Sequence, residues 1–374
     1  MSENLQSQPA LPSGRYGHLD ILRGLALFGV LIVNLETLFR VPLLEQILRP
    51  QAETGWANQI VALLLVRALE FRALTIFSFL FGAGIAMQAE RFAAANAGAI
   101  GFLVRRLGWL FLLGMAHLFL IWNGDILALY GVCGLLLLPS LRLPWPALFV
   151  IGAAAMALPE FVTFPLAIPT GDAATAHIAK AREIYGHGGF MAILSFRCYE
   201  AWTLILPLLI AILPRTVGFM YWGMAAWRSG ILREPERHRG KLIAALVFGT
   251  AGSVAGGVAY ASLPSLLALA YVSALLLLLT PGRTTSLPGL AAMGRMALTN
   301  YILQSIVLGF VFYGYGFGLF GRIGSAAAAG IGVLIYLIQV QLSQYWLGRF
   351  RFGPFEWLWR SLAYGRRQPM RRRT

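Results

Sequence analysis

Apolar segments long enough to cross a membrane recur along almost the whole of this chain. The first runs from Leu19 to Phe39, and the last ends just before Arg349. About 20 apolar residues in an α-helix cross a hydrocarbon core of about 30 Å. The stretches between these segments are too short to form soluble domains. The pattern therefore predicts an all-α fold, a polytopic membrane helix bundle.

Composition supports this fold class and restricts the partners. Of the 374 residues, 58% are hydrophobic and 12% are charged, whereas about 25% of the residues of a soluble domain are charged. The mean hydropathy is +0.71. Arginines between the spans and near the C-terminus explain the net charge of +15, as the positive-inside rule predicts. We therefore expect no nucleic-acid partner. A second interpretation of the terminal arginines is attraction to anionic membrane lipid.

A windowed search predicts about ten transmembrane helices. If the chain begins in the cytoplasm, ten crossings place both termini there, in agreement with the positive-inside rule. The chain then divides into a cytoplasmic N-terminal segment (1–18), a transmembrane domain (19–348) and a basic cytoplasmic tail (349–374). The predicted helices are Leu19–Phe39, Phe71–Met87, Phe102–Trp122, Gly124–Pro139, Trp145–Phe164, Phe196–Trp227, Leu242–Ser262, Pro264–Pro281, Met296–Phe317 and Ala327–Leu347.

The stretch Phe196–Trp227 has two interpretations. Two crossings would place the basic residues from Arg228 to Lys241 outside the cell. One crossing that is kinked at Pro207 and Pro214 keeps them inside. We prefer the single crossing, and the sequence leaves the choice open.

The densest polar group lies in GMAHLFLIWNGDILALYG, at the turn between the third and fourth spans. His117 lies about 8 Å below the outer end of its helix, at about 1.5 Å per residue. A histidine at this depth can accept a proton near neutral pH, and Asp125 can fix its tautomer and stabilise its charged form. The alternative is structural, because His117 can hydrogen-bond to a neighbouring helix while Asp125 caps the next one. Both interpretations stay open.

Further polar residues are candidates for substrate binding. Asn34 and Glu36 of the first span can converge with the turn that carries His117. Asn300 and Gln304 are four residues apart and so share one helix face, as a polar stripe lining a cavity would. The candidate substrate-binding residues are Asn34, Glu36, Trp122, Asn123, Asn300 and Gln304.

Four charged residues are candidates for binding a cytosolic cofactor, namely Asp20, Arg23, Arg72 and Arg295. Ionisable residues inside a span indicate function, and arginine suits a phosphate such as that of a coenzyme. Two simpler interpretations compete. Asp20 and Arg23 are three residues apart and can pair with each other, and pairing of Asp20 with Arg295 would leave nothing for a ligand.

Motifs of well-known soluble enzymes are missing from the sequence. It contains no Walker loop, dinucleotide fingerprint, HExxH, GxSxG or HxxxxD box. Cys133 and Cys198 lie in apolar sequence without CxxC spacing. We therefore expect no disulfide framework and no metal site.

Five ordered blocks of the sequence resemble the YeiB family of bacterial inner-membrane proteins, which are built around a domain of unknown function. The resemblance covers Leu19 to Gly365, and the blocks are LDILRGLALFGVLIVN, LTIFSFLFGAGIAMQ, GMAHLFLIWNGDILALYG, GRMALTNYILQS and RFRFGPFEWLWRSLAYG. It implies a multi-pass protein of the bacterial inner (plasma) membrane. It also implies distant similarity to transmembrane acyltransferases, including the heparan glucosaminide acetyltransferases and sugar O-acyltransferases with an LD-x-LRG opening.

Those relatives use cytosolic acyl-CoA and an intramembrane histidine to modify an acceptor on the far side of the membrane. In the sugar O-acyltransferases a histidine ends the motif of the first helix, whereas this chain has Asn34. Asparagine cannot act as a general base. Either His117 has taken over this role or acyl transfer has been lost.

Three hypotheses about function follow. The first is an acyltransferase that moves an acyl group from acyl-CoA to a small-molecule or saccharide acceptor, with His117 as base and Asp125 as its orienting partner. The second is a proton-coupled transporter of a small solute, and the third is a structural or partner-binding protein. The donor, the acceptor and the oligomeric state, a homodimer included, stay open.

Overall fold

The computed structural model describes residues 16–48, 53–69, 72–94, 98–162, 168–256, 266–279 and 287–372. Within these ranges the protein is helical, and the one strand-like feature is an isolated bridge between Phe350 and Arg371. This confirms the all-α fold class. Most of the predicted N-terminal segment, residues 1–15, lies outside the described residues.

Sixteen α-helices occupy the described ranges. They are α1 (Gly17–Asn34), α2 (Leu43–Leu48), α3 (Trp56–Leu64), α4 (Arg72–Ala94), α5 (Ala99–Ala116), α6 (Leu127–Leu137), α7 (Trp145–Phe161), α8 (Gly171–His187), α9 (Phe190–Glu200), α10 (Leu206–Arg228), α11 (Arg239–Gly256), α12 (Leu267–Leu278), α13 (Pro288–Arg295), α14 (Ala297–Phe312), α15 (Ser325–Arg349) and α16 (Pro354–Tyr364). Four π-helical turns extend or join them, at Leu35–Phe39, Leu65–Leu69, His117–Ile121 and Ala201–Ile205.

Five helical segments in the described ranges are long and apolar enough to cross a membrane. They are Gly17–Phe39, Arg72–Ala94, Ala99–Ile121, Phe190–Arg228 and Ser325–Arg349. A sixth candidate is α13 with α14, which meet at a bend of 82°. The chain is therefore a multi-pass membrane protein, and the count of ten crossings stays a prediction. Five predicted span ends lie outside the described residues, namely Phe71, Phe164, Ser262, Pro264 and Pro281.

The stretch around Phe196–Trp227 is one continuous helical segment of 39 residues. Neither proline interrupts it, because Pro207 lies in the first turn of α10, directly after the π-helical turn Ala201–Ile205, and Pro214 lies inside the helix. At about 1.5 Å per residue the segment is about 58 Å long, which exceeds a hydrocarbon core of about 30 Å. Its first part, α9, extends along α8.

The crossing of α1 and α13 brings two of the sequence blocks together. Gly24 of LDILRG and Gly294 of GRMALTN each lie against the backbone of the other helix, where a Cβ atom would overlap facing backbone atoms. Small residues allow such a close approach of two helices. Arg23 directly precedes Gly24, and Arg295 directly follows Gly294. The two arginines consequently line the same cavity.

Valine at Gly294 is expected to lower the free energy of unfolding by about 1–3 kcal/mol or more, the usual cost of overpacking. Its side chain would overlap the Asp20 carbonyl oxygen. Gly330→Val is the matched control, because a Cβ atom at Gly330 meets nothing within 4 Å. Thermal unfolding of the purified variants in detergent measures the difference, and equal midpoints would contradict the close crossing.

The segment between α7 and α9 contains α8, which is anchored to the bundle. The Arg182 guanidinium donates to the Glu45 carboxylate at 2.8 Å, and the His177 imidazole is hydrogen-bonded to Glu200 at 2.9 Å. Residues 163–167 lie outside the described residues. The described part is thus an amphipathic helix held at two points.

The predicted basic tail, 349–374, contains α16, which packs against α5. The Trp359 indole donates to the Arg106 carbonyl oxygen at 2.7 Å, and the Arg106 guanidinium carbon lies 3.6 Å from the centroid of the Trp359 ring. The Arg351 backbone N–H donates to the Met370 carbonyl oxygen at 2.9 Å. Within residues 349–372 this segment is therefore a folded part of the bundle.

Candidate functional site

His117 and Asp125 form a buried pair at the end of α5. The imidazole Nδ1 lies 2.9 Å from Asp125 Oδ2, and the two side chains are 1% and 0% exposed. The other carboxylate oxygen, Oδ1, accepts the backbone N–H of Ala128 at 2.7 Å, at the start of α6. Asp125 therefore both holds the histidine and caps a helix. A role of His117 in proton transfer stays a prediction. We name His117 and Asp125 the dyad.

The geometry fixes the tautomer of the histidine. A carboxylate only accepts hydrogen bonds, so Nδ1 carries the proton that lies between His117 and Asp125. In the neutral imidazole, Nε2 then carries the lone pair. It is buried and has no hydrogen-bonding partner among the described residues. The dyad thus presents an unoccupied basic nitrogen.

Arg197 holds the turn that carries the histidine. His117 begins the π-helical turn His117–Ile121, and such turns are frequent at functional sites. The Arg197 guanidinium donates to the carbonyl oxygens of Leu120, at 3.0 Å, and of Ile121. Sequence reasoning missed this residue, although a lone arginine between apolar residues was a visible signal, since a buried charge inside a span indicates function.

A cavity of about 370 Å³ opens at one end of the bundle. We name this the arginine-rich end, because six arginines line the cavity: Arg23, Arg91, Arg106, Arg295, Arg351 and Arg360. Two carboxylates, Asp20 and Glu356, also line it. The lining thus carries a formal excess of four positive charges, which favours an anionic ligand.

The cavity reaches the surroundings of the dyad. Its inner residues include Ile126 and Leu127, which directly follow Asp125, and Tyr301 of α14. The centroid of the Tyr301 ring lies 5.1 Å from that of the His117 imidazole. The Tyr301 hydroxyl donates to the Gly124 carbonyl oxygen at 3.2 Å. One tyrosine therefore contacts both the cavity and the loop that holds the dyad.

The C-terminal helix α16 forms part of the cavity wall at the arginine-rich end. Glu356 accepts hydrogen bonds from the backbone N–H of Thr299 at 3.0 Å and from its hydroxyl. Burial raises the pKa of the Glu356 carboxyl, and the bonds from Thr299 act in the opposite direction.

Tyr16, the first described residue, lines the same cavity as α16. Both ends of the described chain therefore lie at the arginine-rich end of the bundle.

Of the four predicted cofactor residues, the structure brings three together. Asp20 and Arg23 pair at 2.9 Å, and both line the cavity with Arg295. Arg72 is buried but does not line it. Arg72 is the first residue of α4, and Gly84 of the same helix lies beside Arg23. Arg72 is therefore twelve residues, or about 18 Å, along the helix from the level of Arg23.

Asn300 and Gln304 face α15 rather than the cavity. The Asn300 side-chain amide donates to the Ser343 hydroxyl at 2.9 Å, and the Gln304 amide donates to the Gln339 side-chain oxygen at 2.8 Å. Gln339 in turn donates to the Asn300 carbonyl oxygen at 3.2 Å. The polar stripe predicted from their spacing exists, and it joins two helices.

Glu36 belongs to a separate network at the end of the bundle opposite to the arginine-rich end. Its carboxylate accepts hydrogen bonds from Arg40 at 2.8 Å and from the Ser325 hydroxyl at 3.0 Å. Arg40 also pairs with Glu53 at 2.7 Å. Asn34 is half-buried on the same helix. This network fixes the end of α1 against the start of α15.

Trp122 and Asn123 connect the dyad to a second polar cluster. Trp122 stacks on Phe39 with 4.6 Å between ring centroids. The Asn123 amide donates to the Glu200 carboxylate at 3.0 Å. The Tyr185 hydroxyl donates to the same carboxylate. Burial and the neighbouring Glu200 carboxylate raise the pKa of Tyr185 well above its usual range. Sequence reasoning missed Glu200 and Tyr185 because they lie more than 60 residues from the turn.

The described residues offer no cluster of three histidine, cysteine or acidic side chains that could hold a metal ion. Cys133 is buried and Cys198 is half-buried, and both are free thiols.

Comparison with known proteins places the chain in a family. A family described as "Protein of unknown function (DUF418)" matches residues 252–366. The chain is 34% identical to "Uncharacterized protein YxaH" of Bacillus subtilis (strain 168), with 98% of each chain covered. It is 32% identical to "Uncharacterized 39.9 kDa protein in amylase 3'region" of Bacillus acidopullulyticus, over 95% of this chain and 96% of that one. It is 30% identical to "Uncharacterized protein YeiB" of Escherichia coli (strain K12), over 92% and 95%.

The fold and the site define a multi-pass, all-α membrane protein with a buried histidine–aspartate dyad next to an arginine-lined cavity. The chain belongs to the YeiB family.

Proposed function

We propose that the protein is a membrane acyltransferase, which moves an acyl group from cytosolic acyl-CoA to an acceptor hydroxyl or amine at or across the membrane. One observation carries this proposal. The cavity extends from six arginines at one end of the bundle to Tyr301, which contacts the imidazole of the dyad. A closed central pocket would instead have favoured a transporter.

The arginine-rich end suits the phosphate groups of a coenzyme. Arginine forms charge-assisted, bidentate hydrogen bonds with phosphate. The two carboxylates of the lining are already engaged, Asp20 with Arg23 and Glu356 with Thr299. An acyl-CoA whose phosphates bind at the exposed mouth of this end can extend its pantetheine arm and its acyl chain into the cavity, toward Tyr301 and the dyad.

The dyad suits the role of general base. His117 Nε2 takes the proton of the acceptor group while Asp125 stabilises the resulting imidazolium. The acceptor oxygen or nitrogen bonds to the thioester carbonyl carbon, and the carbon–sulfur bond then breaks. The coenzyme thiolate leaves and receives the proton from His117, which restores the dyad.

The proposal also assigns an orientation. The positive-inside rule favours the arginine-rich end as the cytoplasmic one, where acyl-CoA is available. Tyr16 and Arg351 both line the cavity at that end, so both termini are cytoplasmic in a bacterial inner membrane. The dyad and the Glu200 cluster then face the outer half of the bilayer, from which an acceptor such as a saccharide would approach.

Transfer of a radiolabelled acyl group in proteoliposomes tests this proposal. The reconstituted protein is supplied with labelled acetyl- or octanoyl-CoA and with acceptor fractions of a bacterial extract. We expect label in an acceptor fraction with the protein, and none with empty liposomes. Label that never leaves the coenzyme would contradict acyl transfer. Proton-driven solute uptake that is lost in Asp125→Asn would then support the transport hypothesis.

A further inference from the structure

We infer that the cavity holds the hydrocarbon chain of an anionic amphiphile, so that the acyl donor carries a medium-length or long chain rather than an acetyl group. Naming the chain as an acyl group rests on the proposed function. The inference itself rests on the depth, the lining and the volume of the cavity.

The cavity continues well past the arginines. On α1, Val30 lines it seven residues after Arg23, which is about 10 Å along the helix. On α4, Phe77 lines it fourteen residues before Arg91, or about 21 Å. The side chains over this depth are mainly apolar, and the inner part ends at Leu127 and its neighbours. A charged headgroup therefore has partners at one end, and a hydrocarbon chain has partners beyond it.

The volume is larger than an acetyl group requires. A water-sized group takes up about 30 Å³, so 370 Å³ accommodates about a dozen non-hydrogen atoms. Apolar cavities hold water poorly, and each methylene transferred from water into such a space improves binding about fourfold.

Gly84 lies on α4 halfway between Arg91 and Phe77. It lines the cavity next to Arg23, and a Cβ atom there would meet only the Arg23 guanidinium, at 3.9 Å. A leucine at Gly84 meets no backbone atom at its Cβ position and adds a large side chain to the cavity lining. Gly108→Leu is the matched control, because Gly108 also lies inside a helix, does not line the cavity and has nothing within 4 Å of its Cβ position.

The test is calorimetric binding of acetyl-, butanoyl-, hexanoyl- and octanoyl-CoA to the full chain in nanodiscs, with empty nanodiscs subtracted. We expect affinity to rise about fourfold per methylene in the wild type and in Gly108→Leu. In Gly84→Leu we expect acetyl-CoA to bind within threefold of wild type and octanoyl-CoA to bind at least tenfold more weakly. Equal affinity for acetyl- and octanoyl-CoA in the wild type would overturn the inference. An equal loss for every chain length in Gly84→Leu would overturn it too.

A second series separates this inference from the proposed function. Lysophosphatidic acid and octyl phosphate share the anionic head and the hydrocarbon chain but lack a thioester. Suppose that both compounds bind more tightly than octanoyl-CoA and that both lose affinity in Gly84→Leu. If acyl transfer is also absent, the chain site stands and the acyltransferase proposal fails. If transfer occurs with acetyl-CoA as fast as with octanoyl-CoA, the function stands and the chain site fails.

Discussion

Alanine at His117 is expected to slow acyl transfer by about 10²–10⁴-fold, the range that a positioned general base contributes. Acyl-CoA binding should change little, because His117 does not itself line the cavity. The effect should therefore fall on kcat rather than on KM. Steady-state transfer kinetics of the reconstituted variant, with calorimetric binding of octanoyl-CoA alongside, measure both quantities.

Two variants control this experiment. His238→Ala removes a histidine whose imidazole bonds to the nearby Glu234 carbonyl oxygen at an exposed site, and it should keep the wild-type rate. Asp125→Asn keeps the shape of the dyad but no longer fixes the tautomer, so it should also lower kcat. A rate for His117→Ala within threefold of wild type would remove His117 from the chemistry.

Glutamine at Arg295 is expected to weaken acyl-CoA binding about ten- to hundredfold, because a hydrogen bond to a charged group contributes about 1.5–3 kcal/mol. Arg295 lines the cavity beside the Asp20–Arg23 pair. The loss should appear in the dissociation constant and in KM. Binding to the wild type should also weaken as salt rises, since salt screens charges at the exposed mouth.

The matched control is Arg239→Gln, which removes one positive charge from the exposed start of α11. We expect it to bind acyl-CoA like the wild type. Equal weakening in the two variants would show that net charge attracts the ligand rather than a site at the arginine-rich end. Unchanged binding in Arg295→Gln would place the coenzyme elsewhere.

The parts of the site that are close in sequence could be predicted. His117 and Asp125 are eight residues apart, and the short non-helical turn between them keeps the two side chains within reach of each other. Asp20 and Arg23 lie on one face of α1 and pair as their spacing indicates. Spacing could not decide whether the pair also lines a cavity, because this depends on the helix that packs against it.

The other arginines of the cavity could not be identified from the sequence. Arg91 and Arg351 lie near the ends of helices, and Arg106 lies two turns into α5. The positive-inside rule already explains arginines at these positions. They converge because α4, α5 and the segment before α16 meet around one cavity. The 82° bend between α13 and α14 places Arg295 there as well, and the apolar pattern around Met296 does not indicate a bend.

Two groupings expected from the sequence differ in the structure for related reasons. Asn300 and Gln304 share one face, but that face meets α15, whose Ser343 and Gln339 satisfy the two amides. Arg72 starts α4 at the end far from Arg91, because α4 runs through the whole depth of the bundle. Periodicity shows which residues share a face, and only tertiary packing shows what that face meets.

The most direct measurement uses octanoyl-CoA with a photoreactive diazirine at the end of its acyl chain. After irradiation of the reconstituted protein, mass spectrometry identifies the modified residues. We predict adducts on Ile126, Leu127 or Tyr301, which excess octanoyl-CoA suppresses. Adducts confined to exposed apolar residues such as Val247 and Leu337 would contradict a donor cavity that leads to the dyad.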